Sequence, residues 1–142
     1  MILAYAYERS NGGLVAVDLV EERDGKFFEI ETGLEVKRVI AKMSKSLKNV
    51  VNPDDMISEY GTDALRMYEM VLGDFRDSAP WEPTGIVGVR RFLDRVHTTF
   101  TEGKNLAKDE MKTMKLLHKT VKKVGEDIED YKFNTAISSL MI

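Results

Sequence analysis

The pattern of apolar and polar positions changes character near residue 41. Before it, short β-rich runs are divided by turn signals. Leu14–Glu22 (LVAVDLVEE) is rich in β-branched residues and predicts a strand. Asp24-Gly25 follows, a pair in which both residues tolerate the positive φ of a two-residue hairpin turn. Phe28 and Ile30 then alternate against Glu29 and Glu31, as in a half-buried strand. Thr32-Gly33 predicts a second turn, EVKRVI a third strand, and Asn11-Gly12-Gly13 a loop. Residues 1–40 are therefore expected to form a small, mostly antiparallel β element with little core of its own.

After Lys42 the period becomes helical. Asn52 suits an N-cap and Pro53 the first helical position, where its missing N–H costs nothing. Asp54 and Asp55 favour the positive end of the helix dipole, and the helix should end near Tyr60-Gly61. Thr62 is the expected cap of the next helix, DALRMYEMVL, whose apolar stripe is Ala64, Leu65, Tyr68, Val71 and Leu72 and which stops at Gly73. A loop, GDFRDSAPWEPTG, carries Trp81; the expectation there is a packing anchor that pins the loop against the helices, with stacking on a base as the alternative. Further helices are expected over Ile86–Thr101, over Asp109–Asp130 and from about Asn134. The last is still running at Ile142 with an apolar face and no terminator, which predicts that the sequence is part of a longer polypeptide. The fold class is α+β: a small antiparallel β region followed by an α-helical bundle.

Composition narrows the chemistry. A chain of 142 residues with 43% hydrophobic and 32% charged residues is expected to be soluble and globular, as one domain or two small ones. It has no cysteine, which excludes disulfides and thiolate metal sites. The start, MILAYAYERS, has no basic leader and too short an apolar run for a signal peptide or a membrane span. A net charge of −3 gives no general attraction to nucleic acid, so any anion site must come from local clustering. No metal-ligand spacing is present, and Asp54, Asp55 and Asp63 read as helix caps.

One cluster stands out. Lys42, Lys45 and Lys48 fall three apart in AKMSKSLKNVVNPDD, with Ser44 and Ser46 between them. On a helix the ammonium groups would repel along one side; just before an N-cap they belong on a loop. Two readings stand: a solvated basic turn, or a mobile cationic loop that clamps an anion such as phosphate.

The string itself goes further. KMSKS at 42–46, followed by Asn49, resembles the signature loop of the class I aminoacyl-tRNA synthetases. The continuation through YGTDALRMYEM and LGDFRDSAPWEPTGIVGVRRFLDRV, and KFNTAISSLM at 132–141, is similar to the leucyl members of that family; isoleucyl and valyl members share the loop but not the pattern of Ser78–Leu93. The resemblance implies ATP-dependent activation of leucine and its transfer to tRNA(Leu), in the cytoplasm, with ATP and its Mg2+ as substrate and no metal ligand in the chain. It implies Lys42 and Lys45 as catalytic contacts to the triphosphate, with Lys45 foremost. Met43 would anchor the loop, Ser44 and Ser46 would complete the ATP-binding set, and Asn49 would shape the loop exit. It also implies a division into the end of the catalytic domain (1–41), the loop with stem-contact helices (42–82) and a truncated helical tRNA-binding domain (83–142). Many family members have glycine where this chain has Lys48; lysine stiffens the loop or adds a third phosphate contact. The family's second ATP signature, His-x-Gly-His, is absent: His97 and His118 read as helix-face residues. The leucine pocket and editing domain are absent too, so the chain is expected to need the remainder of the catalytic domain and to be inactive alone. The rival readings are an isoleucyl or valyl enzyme and a non-catalytic RNA-binding helical module.

A second basic feature lies in the fourth helical segment. Lys108, Lys112, Lys115, Lys119 and Lys122 form one stripe at about 100° per residue. Met114, Leu117, Val121, Val124 and Ile128 lie nearly opposite and are expected in a bundle core. The lysines are either a solvated face or a row of tRNA phosphate contacts, to which Arg90, Arg91 and Arg95 would add.

Overall fold

The computed structural model describes residues 1–74, 76–102 and 110–141. They form two compact units, Met1–Pro53 with Ala79–Glu82, and Asp54–Ser78 with Pro83–Ile142.

The first unit is a sheet built on β1 (Ile2–Glu8). Antiparallel partners flank it: β2 (Leu14–Val15) on one side and β5 (Glu35–Ala41) on the other, with β4 (Lys26–Glu29) and β3 (Val20–Arg23) beyond β5. The short β6 (Ala79–Pro80) runs parallel to the start of β1. The register places Tyr5 opposite Ile40 and Tyr7 opposite Arg38. Ala4 and Ala6 are buried on one face of β1, and Val15, paired with Tyr7, and Val36, paired with Phe27, are buried on the other, where the rings of β1 are half-exposed. Those rings are used in the sheet: Arg38 stacks 3.6 Å over Tyr5, and Tyr7 lies 5.0 Å from Phe27. The pattern assigned no strand to Ile2–Glu8, because its inward residues are alanines that give a weak apolar signal.

Two strand expectations need correction. LVAVDLVEE is not one strand: a 3-10 turn at Val17–Leu19 separates β2 from β3. The alternation after the hairpin is reversed. Glu29 is 1% exposed and Ile30 is 54% exposed. The Arg9 guanidinium grips Glu29 with two nitrogens (Nε to Oε2 at 3.0 Å), and Thr32 Oγ1 donates to the same carboxylate at 2.9 Å. A buried carboxylate so paired is tolerated, and the strand ends there because the Thr32-Gly33 turn begins. The Arg9 hydrogen bond, then that of Thr32, holds Glu29 below the usual carboxylate pKa. The hairpin turn is as expected, with Asp24 and Gly25 both at positive φ, 52° and 77°. Trp81 is buried; its amide donates to Leu3 O at 2.8 Å, which makes it an anchor within the first unit.

The second unit contains α1 (Pro53–Tyr60), α2 (Thr62–Val71), α3 (Gly85–Thr101), α4 (Glu110–Glu129) and α5 (Phe133–Leu140). The boundaries follow the helix signals closely. Thr62 is corrected from cap to first helical residue: the N-cap is Gly61 at φ 88°, and no side chain caps it. The last helix spans Phe133–Leu140, and Met141 N bonds Ile137 O at 3.1 Å; Ile142, to which the helix was expected to run, lies outside the described residues. Ala64, Leu65 and Tyr68 of α2, Ile86 and Val89 of α3 and Ala136 of α5 are buried. Gly85 is required by Tyr68: a Cβ there would meet Tyr68 Cε2 at 2.6 Å.

The expected core role of the α4 apolar stripe is also corrected. Met114, Leu117, Val121 and Ile128 are 46–62% exposed, and Val124 is half-buried. Helix α4 packs chiefly on α5, which is shorter and covers only part of it. That pairing is fixed by a tight turn with Tyr131 at φ 58°, and Lys132 N donates to Asp127 O at 2.7 Å. Among the described residues no helix is long and apolar enough to cross a membrane.

Candidate functional site

Residues 42–52 leave β5 and lead into α1 without regular structure, so their shape must come from specific bonds. Asn49, 8% exposed, supplies most of them. Its Oδ1 accepts from Ser44 N at 2.8 Å. Its Nδ2 faces Tyr5 O at 3.3 Å and Lys42 O at 3.4 Å. One buried amide therefore ties the start of the loop to its end and both to β1. Between these points the chain turns tightly: Leu47 N bonds Ser44 O at 3.2 Å and Lys48 N bonds Lys45 O at 3.3 Å. Lys48 adopts φ 50°, a conformation that glycine takes without strain.

The side chains sort by burial. Met43 is half-buried. Ser44 Oγ and Ser46 Oγ are 2.7 Å apart, so the two hydroxyls already partner each other. Lys42 and Lys45 are exposed and carry no ion pair among the described residues. Lys48 is different: its Nζ lies 2.5 Å from Asp18 Oδ2. The loop thus presents two uncompensated ammonium groups beside two hydroxyls on a backbone fixed by a buried amide. Such an arrangement suits a multiply charged anion.

The second basic set is arranged otherwise. Arg90 is committed: Nη1 donates to Tyr60 O, the last residue of α1, at 2.9 Å, and Nε to Asp94 Oδ1 at 2.9 Å. Arg91 and Arg95 are exposed and four residues apart on α3, with Arg95 6.0 Å from the Phe92 ring. Lys112, Lys115, Lys119 and Lys122 are all exposed on α4, and Lys122 reaches Glu126 at 3.7 Å. Lys108 lies outside the described residues. His97 and His118 are exposed helix-face residues. No group of three His, Asp or Glu side chains able to hold a metal is present among the described residues. The sequence did not point to Asp18: nothing in a lone aspartate thirty positions upstream marks it as a partner of Lys48.

Known proteins match this chain along its length. Residues 22–79 match the family described as tRNA synthetases class I (I, L, M and V). The stretch contains the lysine loop, α1 and α2. The leucine–tRNA ligase of Borrelia hermsii is 51% identical over 144 residues, covering 100% of this chain and 17% of that protein. That of Borrelia turicatae gives the same figures, 51% over 144 residues, and that of Borrelia duttonii is 49% identical over 142. A LeuRS of Agrobacterium radiobacter K84, solved as a ternary complex with tRNA and LeuAMS, has a TM-score of 0.61 and 29% identity, covering 71% of this chain and 15% of that one. The chain spans about a sixth of the length of the curated relatives it matches (17%). Over its whole length it is similar to one segment of leucine–tRNA ligase.

Proposed function

We propose that the chain serves as the lysine-loop segment of a leucine–tRNA ligase, working in the cytoplasm together with the remainder of the catalytic domain. In this reading residues 1–41 end the catalytic domain, 42–82 carry the loop and stem-contact helices, and 83–142 begin the helical tRNA-binding domain. The first reaction is attack of the leucine carboxylate oxygen on the α-phosphorus of ATP. The bond from that phosphorus to the bridging oxygen breaks, and pyrophosphate leaves with the electron pair. A ribose hydroxyl at the 3′ end of tRNA(Leu) then attacks the carbonyl carbon of the leucyl-adenylate; the bond from that carbon to the phosphate oxygen breaks, AMP leaves with the electron pair, and the hydroxyl proton is released.

Negative charge builds on the departing polyphosphate, so a cation that meets it lowers the barrier more than it strengthens ground-state binding. Lys45 and Lys42 carry that role, and Ser44 and Ser46 bond phosphate oxygens when their mutual hydrogen bond opens. Mg2+, brought in on the triphosphate, is assigned no ligand in this chain. Arg91 and Arg95 on α3 and the α4 lysines 112, 115, 119 and 122 contact tRNA phosphates; Arg90, already bonded to Tyr60 O and Asp94, contributes least.

The observation that carries the reading is the pair of lysines, without an ion pair among the described residues, on an Asn49-held loop in a chain 51% identical to leucine–tRNA ligases. The test is leucine-dependent ATP–pyrophosphate exchange in an intact ligase containing this segment. Lys45→Ala should reduce exchange about 10²–10³-fold, roughly 3–4 kcal/mol. Unchanged exchange in a folded variant would remove the phosphate role. Leucine should support the reaction where isoleucine and valine do not; the opposite result points to those enzymes. A segment that binds tRNA and whose parent never turns over ATP would be the helical RNA-binding module.

A further inference from the structure

Lys48 is the lysine of the loop that is already spent. Its ammonium meets Asp18 at 2.5 Å, and the contact does not stand alone. Val17 N donates to Leu47 O at 2.9 Å, so two consecutive residues of the 3-10 turn hold two consecutive residues of the loop, one by backbone and one by charge. Lys48 pays for its place in backbone strain at φ 50°, which a glycine would avoid. In return it supplies the only side-chain charge that ties the loop's turn to the sheet unit among the described residues.

We propose that Asp18 is a positioning residue for the lysine loop, acting through Lys48. This rests on the reading of the loop as a triphosphate contact. The Asp18–Lys48 pair fixes the turn at Lys45–Lys48 and leaves Lys42 and Lys45 as the cations that meet the anion. Both partners are substantially exposed, 63% and 46%, so the pair is weak and breaks readily. It therefore acts on the fraction of molecules whose loop is ready for ATP and leaves the charge delivered to the phosphate unchanged.

The measurement is the split between KM for ATP and kcat in leucine-dependent exchange by an intact ligase containing this segment. Asp18→Asn should raise KM about two- to fivefold and change kcat less than about twofold. Lys48→Asp, at a conformation aspartate tolerates, should raise KM similarly. Combining Asp18→Lys with Lys48→Asp restores an opposite-charge pair and should return KM to within about twofold of the parent. An unchanged KM in Asp18→Asn, or a charge swap as poor as the single changes, overturns the proposal. Lys45→Ala is run beside them. If it removes exchange while Asp18→Asn is silent, only the positioning role falls; if it too is silent, the phosphate contact falls and the positioning role with it.

Discussion

The chain carries two rows of lysines at nearly the same spacing, and the molecule treats them differently. Lys42, Lys45 and Lys48 sit on an irregular loop whose backbone is held by the buried Asn49 amide. Lys112, Lys115, Lys119 and Lys122 sit on the regular helix α4, whose shape comes from its own backbone hydrogen bonds. The loop invests a buried polar group and a strained residue in its cations; the helix invests nothing in its own. Investment of this kind marks preorganisation, which is worth most where charge must be met in one place. The helix stripe offers charge without fixed geometry, as suits contact with a phosphate backbone.

The largest contrast should appear when one lysine is removed from each row. Lys45→Ala should abolish most exchange, whereas Lys115→Ala or Lys119→Ala should leave exchange intact. The helix variants should instead lower tRNA affinity and reduce the salt slope of binding by about one for each lysine that meets a phosphate. Equal effects on exchange from both rows would erase the distinction.

Next in size is the support beneath the loop. Asn49→Ala leaves Ser44 N and Tyr5 O without their partner, a cost of about 1–3 kcal/mol. Protection of the Ser44 amide from hydrogen exchange should fall, and leucine-dependent exchange should fall with it although both lysines remain. No framework of this kind underlies the α4 row, so Lys119→Ala should leave amide protection across α4 nearly unchanged.

Within the second unit, Gly85→Ala forces a methyl into the Tyr68 ring and should destabilise the α2–α3 packing by about 1–3 kcal/mol. Local hydrogen exchange in α2 and α3 should rise while the lysine loop keeps its protection. The smallest effect concerns acid. Asp74 accepts from the Arg76 side chain through both oxygens at 3.0 Å, and from its backbone N at 2.9 Å. The Arg76 side chain, then its amide, lowers the Asp74 pKa to about 2. A carboxyl depressed on folding adds stability that is complete above its ordinary pKa and is lost as pH falls through the folded value. The stability difference between the parent and Asp74→Asn should be constant above about pH 5 and vanish near about pH 2.

Much of this was legible in the sequence, and the failures share a cause. Helix boundaries followed local signals such as Pro53 and Gly61, because capping is a property of a few adjacent residues. The three lysines just before the Pro53 helix start marked an irregular stretch, and residues 42–52 form no helix or strand. What local pattern could not carry was pairing over distance. Glu29 broke its strand's alternation because Arg9, twenty residues away, makes its burial tolerable. Asp18 gained its role only when the turn at Val17–Leu19 met the loop. The α4 stripe read as core because periodicity reports that a face is apolar and says nothing of what covers it.

The most direct test is the reactivity of individual lysines in the intact ligase, with and without ATP and leucine. Amine acylation followed by peptide mass analysis should show Lys42 and Lys45 protected by the substrates, with Lys115 and Lys119 modified at unchanged rates. Equal modification of Lys42 and Lys45 in both conditions would contradict the account.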